Sequence, residues 1–165
     1  HCHGQGKFIA KPCSACRGTG KERQHKTVEL KIPAGGETGS RLRLRGEGEA
    51  GELGGPPGDL YVFLEVEEHD FFVRSDDDIL CRVPISFVQA ALGSTIVVPT
   101  LDDTEKIKIP RGTPSGRTFR LKGKGIPHLQ GYGRGDQIIE VFVQVPTELT
   151  RKQEDLLREF EKSGK

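Results

Sequence analysis

An internal duplication constrains the fold of this chain more than any other feature of its sequence. Residues 28–66 and 105–143 align at a fixed offset of 77 positions without a gap, and thirteen of the 39 pairs are identical. Most identical pairs are glycine, proline or strand-face apolar residues, so the repeated object is a backbone path and not a catalytic site. Two copies at this spacing predict two similar β domains in tandem rather than a solenoid.

Apolar alternation predicts three strands in each copy. In the first copy the strands are expected at residues 28–32, 41–45 and 60–66, with a glycine-rich turn at 35–39 and a long polar loop at 46–58. The second copy repeats the pattern, with inward residues at Ile107, Phe119 and Ile139 among others. With 22 glycines and 33% apolar residues, the chain is unsuited to a helical bundle and suited to short strands joined by tight turns.

The segment between the copies predicts elements that the first copy lacks. A strand is expected at residues 79–85, with Cys81 on its apolar face as a structural residue, and another strand at 95–98. Between them, Ser86 as N-cap and Gly93 past the last turn predict a short helix. We expect the first domain to have equivalent strands before His1, so that the chain is a fragment with an incomplete first domain.

The last residues predict one amphipathic helix. Thr150 and Gln153 have the spacing of a capping box, and Gly164 is expected to end about three turns. Leu149, Leu156, Leu157 and Phe160 form its apolar stripe. Two interpretations stay open: the stripe packs on the second domain, or it begins a surface that faces a partner.

Charge and composition exclude several classes of function. The net charge is +1, with an acidic middle between basic flanks, aromatic residues are 6% and Trp is absent, which disfavours a nucleic-acid binder. No apolar run is long enough to cross a membrane and there is no signal-peptide core, so we predict a cytoplasmic protein. His128 with Asp136 or Glu140 falls in repeated loop and strand positions, which favours structure over acid–base chemistry, and we predict no enzymatic activity.

The remaining cysteines carry a metal-binding pattern. Cys13 and Cys16 belong to a C-x-x-C-x-G-x-G unit, and Cys2 begins the second half of the same unit 14 residues earlier. Two thiolates at this spacing can hold one side of a tetrahedral zinc ion, and the glycines allow the backbone to turn tightly around it. Four ligands are needed, so three thiols and a few histidines make incomplete sites. The alternative is a zinc-ribbon thiol oxidoreductase that uses Cys13 and Cys16.

Together these motifs resemble one family. The C-x-x-C-x-G-x-G unit at 13–20, the Ile-Pro-Ala-Gly run at 32–35, the Gly-Asp-Leu-Tyr strand entry at 58–61 and the Val-Pro-Thr-Leu-Asp run at 98–102 are similar to those of DnaJ-family co-chaperones with a cysteine-rich zinc region. The similarity covers essentially the whole chain and is closest in style to bacterial members. It corresponds to the C-terminal half of such proteins.

The resemblance implies a fold and a division into domains. Two small β-sandwich-like domains follow a zinc-finger remnant and precede a C-terminal helix. The expected boundaries are 1–26 for the remnant of the cysteine-rich region, 27–68 for an incomplete first β domain, 69–147 for the second β domain, and 148–165 for the helix that leads to a dimerisation region. By resemblance, the intact protein holds two zinc ions, to which Cys2, Cys13 and Cys16 contribute.

The resemblance also implies a function. Such a protein holds unfolded polypeptides in an apolar groove of the first domain and delivers them to a DnaK-type chaperone through a J domain, which this chain lacks. It is expected to act as a homodimer. The apolar groove is expected near the strands of the first copy, and its candidate residues are Val28, Leu30, Leu42, Leu44 and Val62. Ordinary core packing is the competing interpretation of these five residues.

Overall fold

The computed structural model describes residue 11 and residues 13–16, 21–51 and 55–164. The chain divides into two compact units, His1–Lys31 and Ile32–Lys165, which are described separately. In the first unit Cys13 leads into a turn at residues 14–16, and residues 21–31 form neither helix nor strand. The predicted metal ligand Cys2 lies outside the described residues.

The second unit is mainly β, as the alternation predicts. Its elements in chain order are β1 (Arg41–Leu44), β2 (Leu60–Phe63), β3 (Val73–Ser75), β4 (Asp78–Ser86), α1 (Phe87–Leu92), β5 (Ser94–Pro99), β6 (Thr104–Ile109), β7 (Arg117–Leu121), β8 (Gln137–Gln144) and α2 (Arg151–Ser163). None of the helices in the described part of the chain has the length and apolar character needed to cross a membrane.

The strands form three sheets. β1 pairs with β2 and β5 pairs with β6, both antiparallel, while a four-stranded sheet has the order β3-β4-β8-β7. In that sheet β4 and β8 run parallel, with Cys81 opposite Ile139, and the other pairs are antiparallel. One core fills the region from β3 to β8, which contains the second copy and is called the second repeat from here on. Its buried members are Cys81, Ile85, Ala90, Val98, Ile107, Ile109, Ile139 and Val141. Cys81 is therefore a core residue, as predicted.

Both predicted helices form with their predicted caps. The Ser86 hydroxyl accepts a hydrogen bond from the backbone N–H of Gln89, while the Gln89 side chain accepts one from the Ser86 N–H. Thr150 and Gln153 make the same reciprocal pair at the start of α2. Each capping box satisfies backbone donors that the first turn of a helix leaves without partners.

The duplication recurs in the backbone hydrogen bonds. Gly39 N–H donates to the Leu64 carbonyl at 2.9 Å, and Gly116 N–H donates to the Val141 carbonyl at 2.8 Å. Gly48 donates to the Gly58 carbonyl at 2.9 Å, as Gly125 does to that of Gly135 at 2.8 Å. The strand pairs Arg41–Phe63 and Thr118–Glu140 are also related by the same offset. The two copies therefore share one path and one register.

One predicted strand is absent. Residues 28–32 form no strand, whereas their repeat equivalents at 105–109 lie within β6. Leu30 and Ile32 alternate with polar residues as their equivalents Ile107 and Ile109 do, so the difference lies in the strand partner. β6 is held by hydrogen bonds to β5 along its whole length. A short alternating segment becomes a strand only when another strand satisfies its backbone groups.

Candidate functional site

The main candidate site is the apolar face of the β1–β2 hairpin. Leu42 lies directly opposite Val62, and Leu44 lies opposite Leu60. Because side chains alternate along a strand, Leu64 just beyond β2 shares this face. All five side chains are apolar, and Leu42, Leu44, Val62 and Leu64 are half-buried, while Leu60 is 38% exposed. Three of the predicted client-binding residues are thus brought together on one surface.

The other two predicted residues belong to a different unit. Val28 and Leu30 are half-buried residues of the unit His1–Lys31. Leu42, Leu44 and Val62 belong to the unit Ile32–Lys165.

The second repeat shows what the same face does when other strands cover it. The equivalents of Val62 and Leu64 are Ile139 and Val141, and both are 0% exposed. In the first repeat, within the described residues of the unit Ile32–Lys165, no third strand joins β1 and β2. The path that makes a closed core in one repeat therefore leaves a partly open apolar surface in the other.

The opposite face of the hairpin is cationic and aromatic. Arg41 and Arg43 alternate with Leu42 on β1, across from Phe63 and Tyr61 on β2. The Arg41 guanidinium stacks 5.1 Å from the centre of the Tyr61 ring, and Phe63 is 69% exposed. A ring beside a guanidinium is held by a cation–π interaction, which orders this face without burying it.

A carboxylate closes the loop in each repeat. Asp59 accepts hydrogen bonds from Gly46 N–H at 2.9 Å and from Arg43 Nε at 2.6 Å. Asp136 does the same with Gly123 N–H at 2.8 Å and Arg120 Nη1 at 3.1 Å. The backbone N–H, and after it the guanidinium, lower the pKa of both carboxyl groups. The identical Gly-Asp pairs at 58–59 and 135–136 are thus explained, because the aspartate of each pair holds the start of the long loop by hydrogen bonds.

The Cys13–Cys16 turn is shaped for an anionic sulfur. The backbone N–H groups of Cys16 and Ala15 donate to the Cys13 thiol and lower its pKa, and its side chain is exposed. A thiolate stabilised in this way suits either a metal ligand or a reactive thiol. Among the described residues, no three His, Cys, Asp or Glu side chains cluster closely enough to hold a metal ion.

Comparison with known proteins identifies the family. A family model described as DnaJ C terminal domain matches residues 4–146. The chain belongs to the DnaJ C-terminal domain family. It is 52% identical to a chaperone protein DnaJ of Syntrophobacter fumaroxidans over 99% of this chain and 44% of that protein. It is 55% identical to one of Geobacillus kaustophilus over 99% of this chain and 50% of that protein.

The chain spans only part of these relatives. In a third, the chaperone protein DnaJ of Desulfitobacterium hafniense, the match is 54% identical and covers 96% of this chain but 42% of the relative. The relatives are named as chaperones, so the comparisons give no support to the alternative of a thiol oxidoreductase.

Two histidines of this DnaJ C-terminal domain, His69 and His128, have structural partners. His128 Nδ1 lies 2.6 Å from an oxygen of Asp77, a partner that the sequence did not suggest, so the imagined pairs with Asp136 or Glu140 are replaced by a contact with the β3–β4 turn. His69 Nδ1 accepts hydrogen bonds from the N–H groups of Phe71 and Phe72 at 3.0 and 3.3 Å. It therefore fixes the linker between the repeats.

A second apolar surface of the domain was missed at the level of sequence. A groove of about 1070 Å³ is lined by the end of β4, α1, the residues after β8, and α2. Phe87 of α1 meets Phe160 of α2 edge-on at 5.9 Å, yet Phe160 remains 62% exposed and α2 buries no residue. The apolar stripe of α2 was visible in the sequence, but the groove depends on the meeting of two segments distant along the chain, the β4–α1 segment and the segment from the end of β8 to α2.

Proposed function

We propose that this chain is the part of a DnaJ-type co-chaperone that binds client polypeptides. It would hold exposed apolar segments of unfolded proteins, for delivery in the cytoplasm to a DnaK-type chaperone by the whole protein. The family match and the relatives named chaperone protein DnaJ support this function. The observation that carries it is the half-open apolar face of β1–β2, where Val62 and Leu64 are half-buried although their repeat equivalents Ile139 and Val141 are fully buried in a core. No chemical step is proposed.

The hairpin suits clients of varied sequence. Leu42, Leu44 and Val62 offer shallow apolar contacts, and a two-stranded sheet leaves backbone groups at its edges for an added strand. Backbone pairing gives affinity without demanding a sequence, and side-chain contacts favour apolar clients. Val28 and Leu30, which belong to the first unit, are also proposed to contact clients.

We expect Val62→Thr to weaken client binding about fivefold, because it replaces a methyl group on the proposed surface with a hydroxyl of similar volume. The measurement is the anisotropy of a labelled, permanently unfolded protein titrated with the chain. Tyr61→Thr is the matched control, since Tyr61 lies on the other face of the same strand and is 44% exposed. Equal losses in the two variants would contradict the assignment of the face.

We propose zinc as the cofactor of the intact protein, bound in part by Cys13 and Cys16. The turn supplies two of the four thiolates that a structural zinc site needs, and the lowered pKa of Cys13 favours the ligating form. Cys2 is proposed as a ligand of the second ion. Zinc would cross-link the turn and stabilise its local fold.

The double variant Cys13→Ser, Cys16→Ser is expected to lower zinc affinity at least about tenfold, since even outer-shell changes have that effect. Competition with a colorimetric zinc chelator measures it. Cys81→Ala serves as control, because burial raises the pKa of the Cys81 thiol and removes it from metal binding. Unchanged zinc affinity in the double variant would rule out the turn as a ligand pair.

We also propose that the intact protein is a homodimer and that the groove beside α2 takes part. Leu156 and Phe160 are 55% and 62% exposed on a helix with no buried residue. Phe160→Ser is expected to weaken self-association at least about tenfold, as loss of a central aromatic anchor does. Sedimentation equilibrium measures it, with Phe63→Ser as control, since Phe63 is 69% exposed and lies away from the groove. A chain that stays monomeric at all concentrations would contradict this role of the groove.

A further inference from the structure

One arginine of the second repeat holds a turn of the first repeat. Arg74, on the short strand β3, donates from Nη1 to the Gly36 carbonyl at 2.7 Å and from Nη2 to the Gly35 carbonyl at 3.0 Å. Nη2 also lies 3.2 Å from a carboxylate oxygen of Glu37. Nε donates to the Asp76 carbonyl of its own repeat at 2.8 Å. The guanidinium therefore bridges the two repeats with both of its edges.

The bridge is partly protected from water. The Arg74 side chain is 26% exposed, and its planar fork matches two adjacent carbonyl groups in a way that an ammonium group does not. Hydrogen bonds from a charged donor are roughly twice as strong as neutral ones. The hydrogen bond from Nε to the Asp76 carbonyl helps to hold the fork in the orientation in which it meets the turn.

The same turn also packs closely against the loop that contains Pro127 in the second repeat. A side chain at Gly35 would overlap the carbonyl oxygen of Pro127 and would approach the Leu129 nitrogen to 3.2 Å. Gly35 also has a φ of 87°, a conformation that residues with a Cβ rarely adopt. Contact at Arg74 and contact at Pro127 together fix the turn in two directions.

The turn at residues 35–37 contacts the other repeat, whereas the equivalent turn of the second repeat does not make such a contact within the described residues. The repeat equivalent of Gly35 is Gly112, which has no neighbour that a Cβ would meet. Gly112 and Thr113 donate instead to the carbonyl groups of Ala91 and Ala90 in α1, within their own repeat. The turn at Gly112 therefore makes hydrogen bonds within its own repeat, whereas the turn at Gly35 makes them to the other repeat.

We propose that Arg74 is a positioning residue that sets the orientation of the two repeats and makes them move as one body. A client that contacts both repeats then binds without first ordering them, which lowers the entropic cost of binding. This consequence for clients rests on the proposed function, but the orientation itself does not.

Residual dipolar couplings of backbone amides test the orientation directly. In the unchanged chain, couplings from residues 36–51 and 55–66 and from residues 73–144 are expected to fit one alignment tensor. In Arg74→Ala each repeat should still fit its own coordinates, but the two repeats should require separate tensors of different magnitude. Arg74→Lys, which keeps the charge without the fork, should show the same separation.

The matched control is Arg82→Ala. Arg82 lies on the neighbouring strand β4, where it pairs with Glu140 and stacks on Phe142 within the second repeat, so a single tensor is expected. A shared tensor in both Arg74 variants would overturn the proposal. A long unfolded client is expected to bind Arg74→Ala about threefold more weakly, while a short apolar peptide is unaffected. Absence of any client binding would contradict the proposed function and leave the tensor result standing.

Discussion

Ile139→Ala is expected to lower the free energy of unfolding by about 3 kcal/mol, the cost of deleting a large side chain from a closed core. Ile139 is 0% exposed on the central strand β8, with Cys81 opposite on one side and Phe119 opposite on the other. Neither neighbour can move into the space without breaking strand pairing. Equilibrium unfolding in urea followed by circular dichroism gives the global value, and amide hydrogen exchange in β8 gives the local one.

The duplication supplies the control for this experiment. Val62 stands at the equivalent position of the first repeat, on the same path and in the same register, but it is half-buried. Val62→Ala is expected to cost about 1 kcal/mol, because the side chain already meets water and its loss leaves no enclosed cavity. Similar costs at the two positions would mean that both faces are closed, and the β1–β2 face would then no longer be a candidate client surface.

The turns and caps were predictable from sequence because each depends on near neighbours. Ser86 with Gln89 and Thr150 with Gln153 marked two helix starts, and the offset of 77 placed β1 and β2 on β7 and β8. Glycines predicted turns for the same local reason, because a turn residue with positive φ favours glycine. Gly46 and Gly123 have φ values of 72° and 68°. Such signals do not need knowledge of the rest of the fold.

Pairings across the chain were not predictable in this way. β4 pairs in parallel with β8, although more than 50 residues separate Cys81 from Ile139, and no local pattern announces that choice. At residues 28–32 the apolar alternation predicted a strand, but no strand forms there because no neighbouring strand among the described residues pairs with this segment. For the candidate site, sequence identified the apolar residues Leu42 and Val62, but only exposure in the fold distinguishes an open face from a core.

Gly135→Ala is expected to lower the free energy of unfolding by about 2–3 kcal/mol through overpacking. A side chain here would overlap the Asp77 carbonyl group and would come within 2.8 Å of the Asp78 carboxylate. Those atoms already accept hydrogen bonds, from Ile126 N–H at 2.8 Å and from Asp136 N–H at 2.6 Å. Relief of the overlap would therefore pull apart the bonds that fasten the loop to the β3–β4 turn.

Gly58→Ala is the matched control, because Gly58 precedes Asp59 as Gly135 precedes Asp136 in the repeated Gly-Asp pair. A side chain at Gly58 would meet nothing closer than the Glu49 carbonyl oxygen at 3.8 Å. The change is expected to stay within about 0.5 kcal/mol, since a glycine replaced without strain mainly restricts the unfolded chain. If both variants lost the same stability, the glycines would be required by the backbone path itself. A loss confined to Gly135→Ala would show that close packing of the loop against β3–β4 requires glycine there.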